Sequence, residues 1–391
     1  MKRIKVLFVY IGFYRDAGAE QTPLGLAEEL DRERFSFEMV TLMPTTSTIG
    51  AAVKATGCTI HELGLGIPRL TEPIGIIKVI KALYQIFRRI RPDIVQTQSG
   101  FCNVWARLAA KLAQVPVIIA TLNFGGEPKP RWYMWPVMRA MHHWLATSTD
   151  AYVCVAEHLV KEQLQPYEWD RAEIIDGFFD LNRFLAGRTD LPEIQALTDP
   201  SHPVLGIVAR LEHDKGHKVA IAAMRKIVDA VPGARLKIVG AGSLEQELRD
   251  QVAALKLSEY VEFTGHRTQI CEIMSTMDLL LIPSYNEAFA RVALESIAAG
   301  VTLLGSRSGA FPRILENGKY GELVTPADPD AISEAALKII ANPASALVKL
   351  KEARTLVLRR YTKKESARRY ARLYLRLAEN FEGKIKENSN E

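Results

Sequence analysis

Residues 279–300 read LLLIPSYNEAFARVALESIAAG. Leu279 to Ile282 are four aliphatic residues in a row, as expected of a strand covered on both faces; Pro283 ends the run, and a helical pattern begins near Phe289. A buried strand that feeds a helix is the repeating unit of a parallel α/β sheet. The same order continues outward in both directions. VTLLG follows it, and VEF, RLKIVG and VLGIVA precede it; in the first half KVLFVY, EMVTL, DIVQTQ, VIIAT and AYVCV alternate with helical patterns. Between the two sets, residues 186–203 (AGRTDLPEIQALTDPSHP) lose the alternation and gather Pro, Asp, Thr and Gly, as a linker would. The predicted fold class is α/β, with two doubly wound parallel-sheet domains facing across a cleft, at residues 1–185 and 204–361. A helix at 362–381, with Ala367, Tyr370, Ala371, Tyr374 and Leu377 at helical spacing, is expected to pack back on the first domain.

Composition agrees with this layout. At 391 residues the chain has room for two to three domains, and 48% hydrophobic with 24% charged residues excludes a disordered scaffold. Fifty Lys and Arg against forty-five Asp and Glu leave only +5, too dilute for a dedicated nucleic-acid binder. Cys58, Cys102, Cys154 and Cys271 form no CxxC pair, which suits a reducing compartment and free, buried thiols. Lys2, Arg3 and Lys5 before an apolar run imitate an export signal, but KVLFVY reads as the first strand of the sheet. Ile74 to Ile90, the longest candidate span, is broken by Lys78, Lys81, Arg88 and Arg89. A cytoplasmic location, peripheral on the inner face of the membrane, is the expectation.

Helix signals are clearest in the second half. Ser243 and Gln246 are spaced as a capping box, Thr362 and Glu365 repeat it, and Asp328-Pro329 supplies an N-cap and a first-turn proline.

Three loops carry candidate chemistry. After VLGIVA comes Arg210-Leu211-Glu212-His213-Asp214-Lys215-Gly216, an arginine and a lysine five apart at the carboxyl end of a strand, where open sheets bind ligands. A pyrophosphate is well served by one delocalised and one point cation; a solvated charged loop is the other way to account for it. After RLKIVG, Gly240 and Gly242 open like a dinucleotide fingerprint, but Glu245 stands where the third glycine belongs, and a tight strand-to-helix turn explains both. His213 and His217 lack the third ligand a zinc site needs. In 279–300, Glu287 precedes the helix and Glu295 lies on it, roughly 12 Å apart at helical rise, too far for a glycosidase acid–base pair. That spacing suits two polar ends of one elongated ligand, with the helix amino terminus facing a phosphate.

Together these residues resemble the retaining glycosyltransferases of family 4, which have the GT-B fold of two Rossmann-like domains. The matching features run in order through nearly the whole chain. They are Gly18-Ala19-Glu20, RPDIVQTQS at 91–99, the Arg210 and Lys215 loop, IVGAGSLEQELR, VEFTGHR, the Glu287-x7-Glu295 pair, and SRSGAFPRILENGKYGELVTPADPDAI. The resemblance implies that Arg210 and Lys215 hold the donor diphosphate and that Glu287 orients the transferred sugar. It implies further that Glu295 bonds the ribose, that the amides of Phe289 and Ala290 cradle the phosphate, and that His266 and Arg267 flank the base. Gly18 would approach from the first domain, and Asn123 stands where many relatives carry a histidine at the donor sugar. A UDP- or GDP-sugar is the implied co-substrate, with no cofactor and no metal; Asp328-Pro329-Asp330 is read as a helix cap. The configuration of the sugar would be retained. The chain departs from the pattern at Asn123, Ala17, Ala288, Ala290 and Ala310, the alanines standing where glycine is common. These departures keep open a non-catalytic subunit that binds nucleotide sugar or a partner enzyme.

One segment concentrates basic charge. Ile77, Ile80, Tyr84 and Phe87 form an apolar stripe, with Lys78, Lys81 and Arg88 one position off it and no acid from Ile74 to Pro92. Such a helix either rests on anionic lipid or packs its stripe on the sheet. With the aromatic stretch RWYMWPVMRAMHHW (131–144), it makes a lipid-linked acceptor a candidate alongside a saccharide one.

Overall fold

KVLFVY is apolar without interruption because both of its faces are covered. In the computed structural model, which describes residues 3–14, 18–69, 71–98, 100–123, 135–185, 187–194, 197 and 199–388, this run forms the central strand of the first of two units. The first unit comprises Met1–Gly177 with Lys363–Glu391, and the second Phe178–Thr362. The division thus falls after Gly177, ahead of residues 186–203.

In the first unit, strands β1 (Ile4–Tyr10), β2 (Phe35–Thr41), β3 (Thr59–Glu62), β4 (Ile94–Gln98), β5 (Val117–Leu122), β6 (Ala151–Cys154) and β7 (Ala172–Ile174) lie in the order 3-2-1-4-5-6-7. Every pairing is parallel, with Val6 opposite both Phe37 and Ile94. Val6 and Phe8 point to one side, among residues of the helices Gln21–Glu29, Thr48–Ala55 and Lys363–Asn388. Leu7 and Val9 point to the other, against the helices Pro73–Ile90 and Gly100–Leu112. The carboxyl-terminal helix is therefore part of this core: Ala367, Tyr370, Leu373 and Tyr374 are buried in it, and the Tyr374 hydroxyl donates to Gln96 Oε1 in β4.

In the second unit, β8 (Val204–Val208), β9 (Arg235–Val239), β10 (Val261–Gly265), β11 (Leu279–Ile282), β12 (Thr302–Ser306) and β13 (Glu322–Val324) repeat the pattern as 10-9-8-11-12-13. Leu205 pairs with Leu236 on one side and Leu279 on the other. The helices His217–Ala230, Glu245–Ala254 and Pro329–Ala341 cover one face of this sheet. The fold class is that read from the sequence: two parallel, Rossmann-like α/β sheets.

Several local expectations are corrected. The helix near Phe289 starts two residues later, at Arg291, with Ala290 as its N-cap. Ser243 caps no helix: the helix opens at Glu245 with Leu244 at the cap position, and Ser243, one residue before it, donates its hydroxyl to Glu212 Oε2 at 3.0 Å. Asp328 does cap its helix, accepting from the amides of Asp330 and Ala331. In the helix Pro73–Ile90 the buried stripe is Ile76, Val79, Leu83, Ile86 and Phe87, so of the stripe read from the sequence only Phe87 is buried.

Candidate active site

The order 10-9-8-11 reverses direction between β8 and β11, and at such a switch point the loops leaving adjacent strands part to leave a crevice at their carboxyl ends. The loop after β8 carries Arg210 to Gly216, and the loop after β11 carries Pro283 to Ala290. They are joined: the Tyr285 amide donates to the Asp214 carbonyl at 2.9 Å, and the Lys215 ammonium meets Glu287 Oε2 at 2.7 Å. Asp214 Oδ2 is 3.2 Å from the same nitrogen, and the Ser284 hydroxyl reaches Glu287 at 3.5 Å. The side chains of Lys215 and Glu287 keep 16% and 17% of their surface exposed, so the pair is shielded yet open to a ligand. Strand order thus brings together residues 72 positions apart.

Backbone packing sets this contact. Gly216, at φ +70°, ends the turn His213–Lys215, and a Cβ there would stand 2.0 Å from the Pro283 carbonyl oxygen. Gly309, on the loop after β12 at φ +54°, lies so close to Glu287 that a Cβ would be 1.6 Å from its carbonyl oxygen. Only glycine allows either approach. The Ser308 hydroxyl adds a bond to the Ser284 carbonyl at 3.1 Å. Two of the alanine departures fall elsewhere in conformational space. Ala290 (φ −81°) and Ala310 (φ −82°) have ordinary backbones and buried methyl groups, so alanine brings no strain there.

The other sequence-derived residues of this unit lie on neighbouring strand ends. Arg210 is exposed on the β8 loop, five residues before Lys215. Gly240 and Gly242 sit against the Ala209 and Leu211 carbonyls, and the Gly240 amide donates to Gly265 at 2.9 Å. That bond ties the β9 loop to the end of β10, where His266 and Arg267 are exposed. Phe289 stands in the turn before the helix, its ring 6.1 Å from Tyr361. Glu295 lies on the second turn of the helix Arg291–Ala299. Burial raises its carboxyl above the usual range, while Arg291 and Arg183 pull the other way. The Arg291 guanidinium, 5.6 Å from the centre of the Phe178 ring, is itself pushed down to about 10 by burial.

Gly18 and Asn123 belong to the first unit. Gly18 opens the turn Gly18–Glu20, which the Gln98 amide at the end of β4 holds through the Ala19 carbonyl at 2.8 Å. Asn123, half-buried, directly follows β5. Asp16, Ala17, Ser99 and residues 124–134 lie outside the described residues.

Sequence reasoning missed the parts of the site that touch no ligand by charge. Gly309 in SRSGAF and Ser284 in the 279–300 stretch have no distinctive residue type, and His217 was considered only as a zinc ligand and set aside. His217 is buried on the first turn of the helix after Gly216, with neither ring nitrogen bonded, and its pKa is pushed down to about 4, chiefly by desolvation. Among the described residues, no group of three or more His, Cys, Asp or Glu is placed to hold a metal ion.

The chain was compared with known proteins. The profile described as "Glycosyl transferases group 1" matches residues 193–356, and that described as "Glycosyl transferase 4-like domain" matches 17–175, so the two account for most of both units. Glycogen synthase of Mycobacterium tuberculosis is 27% identical over 293 residues, 74% of this chain and 70% of that one. A UDP-Gal:alpha-D-GlcNAc-diphosphoundecaprenol alpha-1,3-galactosyltransferase of Escherichia coli is 24% identical over 339 residues, 83% of this chain and 84% of its own. The crystal structure of Anabaena HepE in complex with UDP superposes with a TM-score of 0.74 at 17% identity, covering 95% of this chain and 99% of that one, which shows a shared fold. With both sheets doubly wound and both profiles matched in order, the chain belongs to the GT4-type glycosyltransferases of the GT-B fold.

Proposed function

We propose that this glycosyltransferase moves a hexosyl unit, with retention of configuration, from a uridine or guanosine diphosphate sugar to a hydroxyl of a lipid-linked or saccharide acceptor, in glycolipid, lipopolysaccharide or polysaccharide assembly. The observation that carries it is the Lys215–Glu287 contact at the switch point, 2.7 Å long and built on two loops pressed together at Gly216. The printed names of the relatives support the donor class: the Escherichia coli enzyme uses UDP-Gal, and HepE is complexed with UDP.

Breaking the bond between the anomeric carbon and the diphosphate leaves the electron pair on the departing phosphate and positive charge on the sugar. Lys215 and Arg210, with the amides of Phe289 and Ala290, offer preorganised positive charge to that phosphate. Glu287 holds the Lys215 ammonium in place and has one carboxylate edge left for the sugar hydroxyls; Glu295 is assigned to the ribose, with His266 and Arg267 beside the base. The acceptor hydroxyl attacks the face the phosphate leaves, and its proton passes to the leaving phosphate oxygen. The products are a glycoside of unchanged configuration and a nucleoside diphosphate. Because Arg210 and Lys215 supply the cationic charge, catalysis needs no metal ion. Turnover is expected to be unchanged in excess chelator, and a loss restored by a divalent cation would contradict that assignment.

Lys215→Ala is expected to lower kcat by roughly 10² or more, the effect of removing one donor to a developing anion. Near-normal turnover would overturn the assignment. A thermal-shift panel of UDP- and GDP-sugars identifies the donor, since the one that binds stabilises by mass action. A protein that binds that donor yet releases no nucleoside diphosphate, by hydrolysis or transfer, would instead support the non-catalytic subunit.

A further inference from the structure

Exposed apolar surface is unevenly shared. Of the ten large hydrophobic side chains exposed among the described residues, nine lie in the first unit, and five of those fall between Leu65 and Tyr84. That stretch leads into and through the helix Pro73–Ile90. The sheet side of this helix is fully used, yet Ile74 and Ile77 on its outer side are 71% and 62% exposed, and Tyr84 is 37% exposed. Counting 100° per residue, Ile74, Ile77, Lys78, Lys81, Tyr84 and Arg88 fall within an arc of roughly 120° that runs for about 21 Å. Lys78, Lys81 and Arg88 are all exposed, and the helix contains no Asp or Glu. The nearest acids in sequence are Glu72, which accepts from the Arg69 amide, and Asp93, which accepts from the Lys5 amide.

Apolar groups interleaved with unpaired cations along one helical face match the boundary of an anionic bilayer, where the first enter the acyl region and the second meet phosphates. Lysine and arginine also suit that depth, because their stems can lie along apolar surface while the charge stays at the headgroups. A soluble protein partner with an apolar surface would not call for this excess of one sign. Among the described residues no single helix is long and apolar enough to cross a membrane.

The geometry points to the outer face of the helix Pro73–Ile90 as a docking surface for anionic phospholipid, with Ile74, Ile77 and Tyr84 entering the bilayer and Lys78, Lys81 and Arg88 engaging headgroups. Docking goes beyond the proposed transfer reaction and does not depend on which sugar, if any, is moved. It is tested by cosedimentation of the full chain with phosphatidylcholine vesicles, with and without phosphatidylglycerol. The wild type is expected to sediment with the phosphatidylglycerol vesicles at low salt and to be released by high salt. A basic residue beside an anionic surface contributes roughly fivefold in affinity, so Lys78→Glu with Lys81→Glu is expected to weaken binding about 30-fold or more. Ile74→Ser with Ile77→Ser is expected to abolish it. Both double variants change exposed side chains only, so unaltered melting temperature and donor hydrolysis serve as the folding control. Failure of the wild type to sediment, or equal binding by the charge-reversed variant, would overturn the proposal. So would self-association in light scattering that Ile77→Ser removes, which would assign the face to a second copy of the chain.

Discussion

Lys215 and Glu287 form an ion pair at 2.7 Å in which neither side chain is fully buried, so a ligand can enter without breaking a sealed core. Glu287→Gln keeps the shape and an acceptor for Lys215 but removes the charge that positions it. A fall in kcat/KM of roughly tenfold or more, with the melting temperature unchanged, is the expected outcome of steady-state assay and thermal denaturation. His217 carries a second test. It heads the helix His217–Ala230, where the dipole opposes a cation; burial lowers its pKa from 6.5 to about 4, and Lys215 pushes the same way while Asp214 opposes. Between those values the unfolded chain takes up a proton the folded one refuses, so this contribution to stability is complete above pH 6.5 and is lost as the pH falls toward 4. The melting temperature of His217→Gln is expected to fall less across that window than the wild type's. The placing of Arg210, Lys215 and Glu287 on loops at strand carboxyl ends was legible from the sequence, because each follows an unbroken apolar run. The Lys215–Glu287 contact was not, since nothing local joins positions 72 apart.

The loops that bear these residues are held by glycine more than by hydrogen bonds. Gly309→Ala would drive a methyl group into the Glu287 carbonyl, 1.6 Å from the Cβ position, at a left-handed φ that alanine adopts only with strain. Loss of kcat by roughly 10² is expected there, whereas Ala310→Gly, at an ordinary φ, is expected to leave turnover within about threefold. Equal effects at the two positions would remove Gly309 from the account. The strands buried on both faces were legible from their unbroken apolar runs. β3, β7 and β13, of three or four residues, were not read as strands: each lies at the edge of its sheet, is partly exposed and so lacks such a run. Ser243 shows the same limit from another side. Its spacing to Gln246 suggested a cap, but a cap depends on where the helix begins, and here that is decided by packing of the β9 loop on Leu211.

The chain runs through the first unit, then the second, and returns to the first with the helix Lys363–Asn388. Tyr370 and Tyr374 fill the core beneath β1 and β4, so Tyr374→Ala is expected to cost about 3–5 kcal/mol, and it removes the hydroxyl that donates to the buried Gln96 Oε1. Hydrogen exchange is the measurement: protection is expected to fall in β1 and β4 while β8 and β11 keep theirs. A loss confined to the second unit would mean the helix does not serve the core in which it lies. The two doubly wound sheets were legible because strand and helix alternate twice with a break between, and the ordered motifs named the family. The return of the last helix to the first unit was expected from its apolar stripe, but which strands it covers was not legible. All of the proposed chemistry depends on a diphosphate lying over the carboxyl ends of β8 and β11. A crystal structure with UDP or GDP bound is decisive: the account predicts phosphate oxygens within hydrogen-bonding distance of Lys215 and Arg210, before the amino end of the helix Arg291–Ala299. A nucleotide bound elsewhere, or one that leaves Lys215 paired only with Glu287, would contradict it.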